Sequence, residues 1–194
     1  MVNGVPLKCH RDMITCIHII YPDEPLKSKP DEEGLSLDAY KKKMRYCTSS
    51  RDGTVKIWNA VDLKHIKEIK VTDGIWVTCI TYMTKSNTLV AASANRMISF
   101  YDLATTNFDK PCSRIEDLVG IPLCMEYYKW PSHNIKDGKL ETLLVGDDLG
   151  ICHMYNFKDP WHTCTYKLGQ KDVMVCHKKE IDKEFKDGID AEWD

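Results

Sequence analysis

No run of apolar residues in this chain approaches the roughly 20 that a membrane-crossing helix needs. The first residues, Met1-Val2-Asn3-Gly4, show no basic segment followed by an apolar stretch, so no signal peptide is expected. A surplus of positive charge is also missing. The 27 Lys and Arg stand against 29 Asp and Glu, a net charge of -2, which argues against a general nucleic-acid binder. Such a protein neutralises phosphates with surplus Lys and Arg. One short basic stretch, Lys41-Lys42-Lys43, reads either as a local basic patch or as a solvated loop.

Closely spaced cysteines are absent as well. Nine cysteines are scattered through the chain, and none forms the C-x₂₋₄-C pair common in zinc sites. Cys9-His10, Cys152-His153 and Cys176-His177 are adjacent pairs, whose side chains point to opposite faces in a strand. No metal site is expected. An odd number of cysteines at irregular spacing is a poor disulfide framework, and no Asn sits in an N-x-Ser/Thr pattern. A reducing, intracellular compartment is the expectation. Cys16, Cys79, Cys124 and Cys152 are expected to be buried as small hydrophobes.

Catalytic signatures are missing too: there is no G-x-S-x-G, phosphate loop or H-E-x-x-H. The segment 182–188 superficially resembles a calcium loop. With Gly188 as its sixth residue, however, Lys183 and Phe185 fall where acids are required. The reading is therefore of a chain with no catalytic residues, no cofactor and no enzyme chemistry of its own.

What is present is a repeat. Tyr46 to Asn59 reads as strand, tight turn, strand. Arg51-Asp52-Gly53 makes the turn, and Val55 and Ile57 alternate with Thr54, Lys56 and Trp58. The outline recurs in Thr88–Asp102, turning at Asn95-Arg96, and in Thr142–Phe157, turning at 147–150. Each hairpin ends on an aromatic followed by Asn or Asp: Trp58-Asn59, Tyr101-Asp102 and Tyr155-Asn156, spaced by 43 and then 54 residues. An apolar strand precedes each hairpin (13–20, 76–83, 123–130). A more polar one follows (63–70, 112–117, 161–168). Four strands per unit at this period predict propeller blades.

These residues resemble the WD-repeat family over roughly residues 5 to 168. His10, Thr48, Asp52 and Trp58 stand at the positions of that family's structural hydrogen-bond network. The resemblance implies an all-β fold, a partial WD-repeat β-propeller of about three four-stranded antiparallel blades. Blade 1 spans 1–71 with a long inserted loop at 21–43, blade 2 spans 72–118 and blade 3 spans 119–168. Residues 169–194 form a charged tail or the start of a further blade, where Ile181 and Phe185 fit one docking helical turn or a solvated linker. By alignment, unit two has Asp73, Ala91, Asn95 and Tyr101 at the network positions. Unit three has Val145, Leu149 and Tyr155 at the last three. Both blades are expected to rely on packing rather than on a network. The motif pair 122–128 and 145–150 is similar to the WD-repeat proteins with EF-hands of ciliary and flagellar axonemes.

Three blades alone would leave apolar faces and strand edges open. The missing blades are expected from the rest of a longer chain, or else from another chain. The loop 21–43 reads as a partner-binding arm or a tolerated surface loop, and Pro131 to Lys139 is a smaller insertion at the corresponding place in unit three. Trp76 either looks toward the top face or packs against the neighbouring blade. With Met13, its counterpart in unit one, and Arg51, it forms the set of partner-binding candidates. The function implied is a non-catalytic scaffold for protein partners in a large cytoskeletal, axonemal assembly, with no nucleic acid and no membrane. A soluble adaptor docking peptides on the top face is the alternative. The implied location is the cytoplasm and cytoskeleton, specifically the axoneme of a cilium or flagellum.

Overall fold

The computed structural model describes residues 9–22, 24–27, 33–105, 109–129 and 139–158. Sheet one contains β1 (Ile14–Ile20), β2 (Arg45–Ser50), β3 (Thr54–Asn59) and β4 (His65–Lys70). Sheet two contains β5 (Val77–Met83), β6 (Thr88–Ser93), β7 (Met97–Asp102) and β8 (Ser113–Ile115). Sheet three contains β9 (Pro122–Lys129), β10 (Lys139–Asp147) and β11 (Cys152–Lys158). Among the described residues every pairing within these three sheets is antiparallel, and each sheet runs in chain order. This is the architecture of a partial β-propeller. The expected strand at 161–168, all of the 131–139 insertion but Lys139, which begins β10, and the tail lie outside the described residues.

The hairpin turns repeat in three dimensions. Gly53, Arg96 and Gly150 occupy equivalent turn positions, and all three have positive φ, at 83°, 60° and 77°. Their N–H groups donate to the carbonyls of Ser50, Ser93 and Asp147, closing the same turn three times. Glycine adopts this conformation without strain, whereas Arg96 does so at a cost. Just before each inner strand, the carbonyls of Met13, Trp76 and Ile121 accept N–H groups from Arg51, Ala94 and Asp148.

Packing follows the sequence pattern. All six residues of β6, Thr-Leu-Val-Ala-Ala-Ser, are buried because sheet two has a neighbour on each side. Leu89 and Ala91 join the cluster shared with sheet one, beside Val55, Ile57, Ile69 and Ile80. Val90 and Ala92 point the other way, into a cluster with Phe100, Leu143, Val145 and Phe157. Burying each large side chain fully contributes about 1.5–3 kcal/mol. The outer strand β4 buries only Ile69 among its six residues, and its remaining positions are largely polar.

The inner strands β1, β5 and β9 stand side by side. The Thr15 hydroxyl of β1 donates to the Val77 carbonyl of β5 at 2.6 Å. Thr78, at the same place in β5, donates to the Pro122 carbonyl of β9. Leu123 holds this position in sheet three and cannot donate.

Two expectations need correction. The stretch 21–43 is not all loop: it carries α1 (Leu37–Lys43) and a bridge between Leu26 and Leu35. Ser36 caps α1 by accepting the Ala39 N–H, Asp38 sits in the first turn and three lysines sit in the last, each complementing the helix dipole. Nor are all four cysteines buried. Cys79 is, and burial pushes its thiol up to about 12, but Cys16 is half-buried and Cys124 and Cys152 are exposed. Cys124 belongs to β9, whose outer side has no described sheet against it.

Candidate functional site

In sheet one the structure brings His10, Thr48, Asp52 and Trp58 together. Trp58 Nε1 donates to Thr48 Oγ1 at 2.9 Å, and His10 Nε2 lies 2.8 Å from the same oxygen. His10 Nδ1 lies 3.1 Å from Asp52 Oδ2. An indole N–H can only donate and a hydroxyl has one hydrogen. One assignment satisfies every atom: Thr48 accepts from Trp58 and donates to His10 Nε2, while His10 Nδ1–H donates to Asp52. The chain of bonds ties β2, β3, their turn and the segment before β1 into one unit.

Thr54 is a further member. Its hydroxyl and N–H both donate to Asp52 Oδ1, at 2.7 and 3.0 Å, and the Arg11 N–H donates to Oδ2 at 2.9 Å. The Asp-Gly-Thr order at 52–54 is the sequence signal, an Asx-turn in which the side chain bonds the backbone two residues on. Burial alone would raise the Asp52 carboxyl. The hydrogen bonds from Thr54, Arg11 and His10 outweigh it and hold the group at about 2. A hydroxyl–imidazole–carboxylate chain resembles a nucleophilic triad in outline. Here Thr48 is buried and its hydroxyl is bonded on both sides, so the arrangement supports structure.

Unit two keeps only the frame of this network. Asp73 is exposed and pairs with Lys70. Asn95 accepts from the Ser93 hydroxyl inside the turn. Ala91 offers no hydroxyl, and the buried Tyr101 hydroxyl meets only the Ser99 hydroxyl, in poor hydrogen-bond geometry. Packing does carry this sheet.

Unit three corrects the expectation that it has no network. Asp147, at the end of β10, accepts His153 Nε2 at 3.0 Å with one oxygen. Its other oxygen accepts the N–H groups of Leu149 and Ile151, at 3.0 and 2.8 Å. Burial opposes ionisation, but these bonds prevail and lower the carboxyl's pKa. His153 also stacks on Tyr155 with ring centroids 6.3 Å apart. The same partner types recur from different positions: the His lies on β11 instead of ahead of the inner strand, and the acid has moved two residues back. Position-by-position alignment therefore passes over them.

The three partner-binding candidates meet on the loop end of sheets one and two. The Arg51 guanidinium lies over the Trp76 ring, 3.3 Å from its centroid. Trp76 is 44% exposed and Met13 55%. Trp76 thus does both things considered for it: one ring face packs across onto sheet one through Arg51, and much of the rest meets solvent. The geometry is that of a cation–π contact, worth about 0.5–2 kcal/mol depending on desolvation. Among the described residues, no group of three or more His, Cys, Asp or Glu is placed to hold a metal ion.

Comparison with known families finds a match in the first part of the chain. Residues 4–59 match the WD domain, G-beta repeat family. This WD repeat contains all four residues of the complete network and runs through β3. It supports the WD-repeat family, and the three antiparallel sheets accord with a partial WD β-propeller. Among solved structures, the chain is similar to the crystal structure of the computationally designed Ika8 protein. The TM-score is 0.49 and the identity 13%, over 77% of this chain and 35% of that one. WD repeats generally mediate protein–protein interactions as scaffolds or adaptors, and WD-repeat proteins are generally non-catalytic.

Proposed function

We propose that this chain is a non-catalytic scaffold that docks protein partners through the loop face carrying Met13, Arg51 and Trp76. The observation that carries the reading is the exposed Trp76 ring, fixed from one side by Arg51. Trp and Arg are enriched among residues that dominate binding energy, and a ring already held by a cation loses little freedom when a partner covers it. The polar networks contribute rigidity beneath this face: Asp52, next to Arg51, is anchored by His10, Arg11 and Thr54.

The finer reading is of a component of a large cytoskeletal assembly in the cytoplasm, specifically a ciliary or flagellar axoneme. It is supported by the sequence motifs at 122–128 and 145–150. Further blades, from a longer chain or another chain, belong to the same proposal. Its support is the exposure of Ile17 on β1, at 62%, and Leu123 on β9, at 53%, on the two flanks of the sheet array. The test of docking is affinity capture with the wild type and with Trp76→Ala and Arg51→Ala, after circular dichroism has confirmed their folding. Selective loss of the same bound proteins in both variants supports the loop face. An unchanged bound set overturns it. Detergent extraction tests the assembly: retention with the insoluble cytoskeleton is expected, and release with the cytosol favours a soluble adaptor.

A further inference from the structure

At the opposite ends of the strands, sheets one and two enclose a groove of about 330 Å³. Its floor is apolar, formed by the buried residues Ile20, Ile57 and Tyr82. Two large side chains flank it in the open: Tyr21 is 52% exposed and Ile66 48%. Ile66 stands proud because the β3–β4 register shifts between Ile57 and Trp58, loosening the pairing at that end. Ligand pockets run from roughly 300 to 1,000 Å³, so this one takes a bulky side chain rather than a whole domain.

Positive charge collects on one lip. Lys43 and Arg45 line the groove, and Lys41 and Lys42 are exposed on the same last turn of α1. Glu24 offsets one of these charges by pairing with Lys43. Arg45 spends its guanidinium on the carbonyls of Lys42 and Met44, which fixes the chain between α1 and β2 and holds its charge in place. Three lysines in succession at the end of α1 therefore concentrate positive charge beside the apolar groove.

We infer that this groove docks a protein partner's short acidic segment with a bulky apolar residue at its centre. The apolar side chain fills the space over Ile57 and Tyr82 between Tyr21 and Ile66, and the flanking carboxylates meet the basic turn of α1. This surface is separate from the loop face of Met13, Arg51 and Trp76, so each can fail without the other.

The probe is a fluorescein-labelled eight-residue peptide of Asp and Glu around a central Leu-Phe, titrated against the full chain by fluorescence anisotropy. Two comparators replace the acids by Lys, or Leu-Phe by Ser-Ser. Saturable binding of the first peptide alone is expected, weakening as salt rises. Lys41→Glu with Lys42→Glu weakens it about tenfold, and Ile66→Glu does so comparably. Trp76→Ala leaves it unchanged. Both surface variants must give the wild-type circular dichroism spectrum. Absence of saturable binding, equal binding of either comparator, or indifference to the groove substitutions overturns the inference.

Discussion

Replacing Thr48 by Val tests the network of the WD repeat at its centre. The two side chains are nearly the same size, so the change removes a hydroxyl without opening a cavity. That hydroxyl serves two buried partners, Trp58 Nε1 at 2.9 Å and His10 Nε2 at 2.8 Å. Val leaves both unpaired in a site closed to water, since His10, Thr48 and Trp58 are each about 8% exposed. An orphaned buried polar group costs roughly 1–3 kcal/mol. Two of them give an expected loss of about 3 kcal/mol, allowing His10 to keep its bond to Asp52. Urea unfolding followed by far-ultraviolet circular dichroism measures this as a lower midpoint at an unchanged slope. A loss below about 0.5 kcal/mol, the range of an ordinary surface substitution, refutes the reasoning, because the network would then contribute nothing net.

Three further predictions rest on the same geometry. Tyr101→Phe, at the equivalent of Trp58 in unit two, removes a buried hydroxyl that meets only the Ser99 hydroxyl in poor geometry; stability is expected to change by less than about 1 kcal/mol in the same assay. Gly53→Ala places a methyl 2.8 Å from both Thr72 O and Thr72 Oγ1 at a φ of 83°, so a loss of about 2 kcal/mol is expected by thermal melting. Asp52 is held at about 2 against an ordinary 3.8, so its ionised form stabilises the fold. That contribution, about 2 kcal/mol, is complete above pH 4 and lost as pH falls toward 2, and Asp52→Asn flattens the acid limb of stability against pH.

The repeat was legible because turn chemistry and strand alternation are local. Arg51-Asp52-Gly53 and the aromatic-plus-Asn/Asp endings sit at fixed offsets, and the structure builds its hairpins on them. The four network positions were legible through family resemblance, since His10 is 38 residues from the hydroxyl it meets. Thr54 was readable from its place two residues after Asp52. The Asp147–His153 pair was not, because the chemistry had moved to new positions. The acid sits at the end of β10 instead of in the turn and the histidine on β11 instead of ahead of the inner strand, so the bond forms while every aligned site looks empty. The helix α1 was obscured by the prolines and charges around it, although Ser36, Asp38 and the lysines 41–43 make ordinary cap and dipole signals. Exposure of Cys124 and Cys152 depends on what packs beside sheet three, which no local pattern encodes.

Partner docking on the face built by Arg51 and Trp76 is tested most directly by site-specific photocrosslinking in cells, with a benzophenone amino acid at the exposed Ile75, which leaves Trp76 and Arg51 in place, and, separately, at Glu68 on the outer strand β4. Discrete adducts to the same proteins from position 75, absent from position 68 and lost with Arg51→Ala, are the predicted result. No adduct from position 75, or an identical set from both positions, contradicts docking on this face.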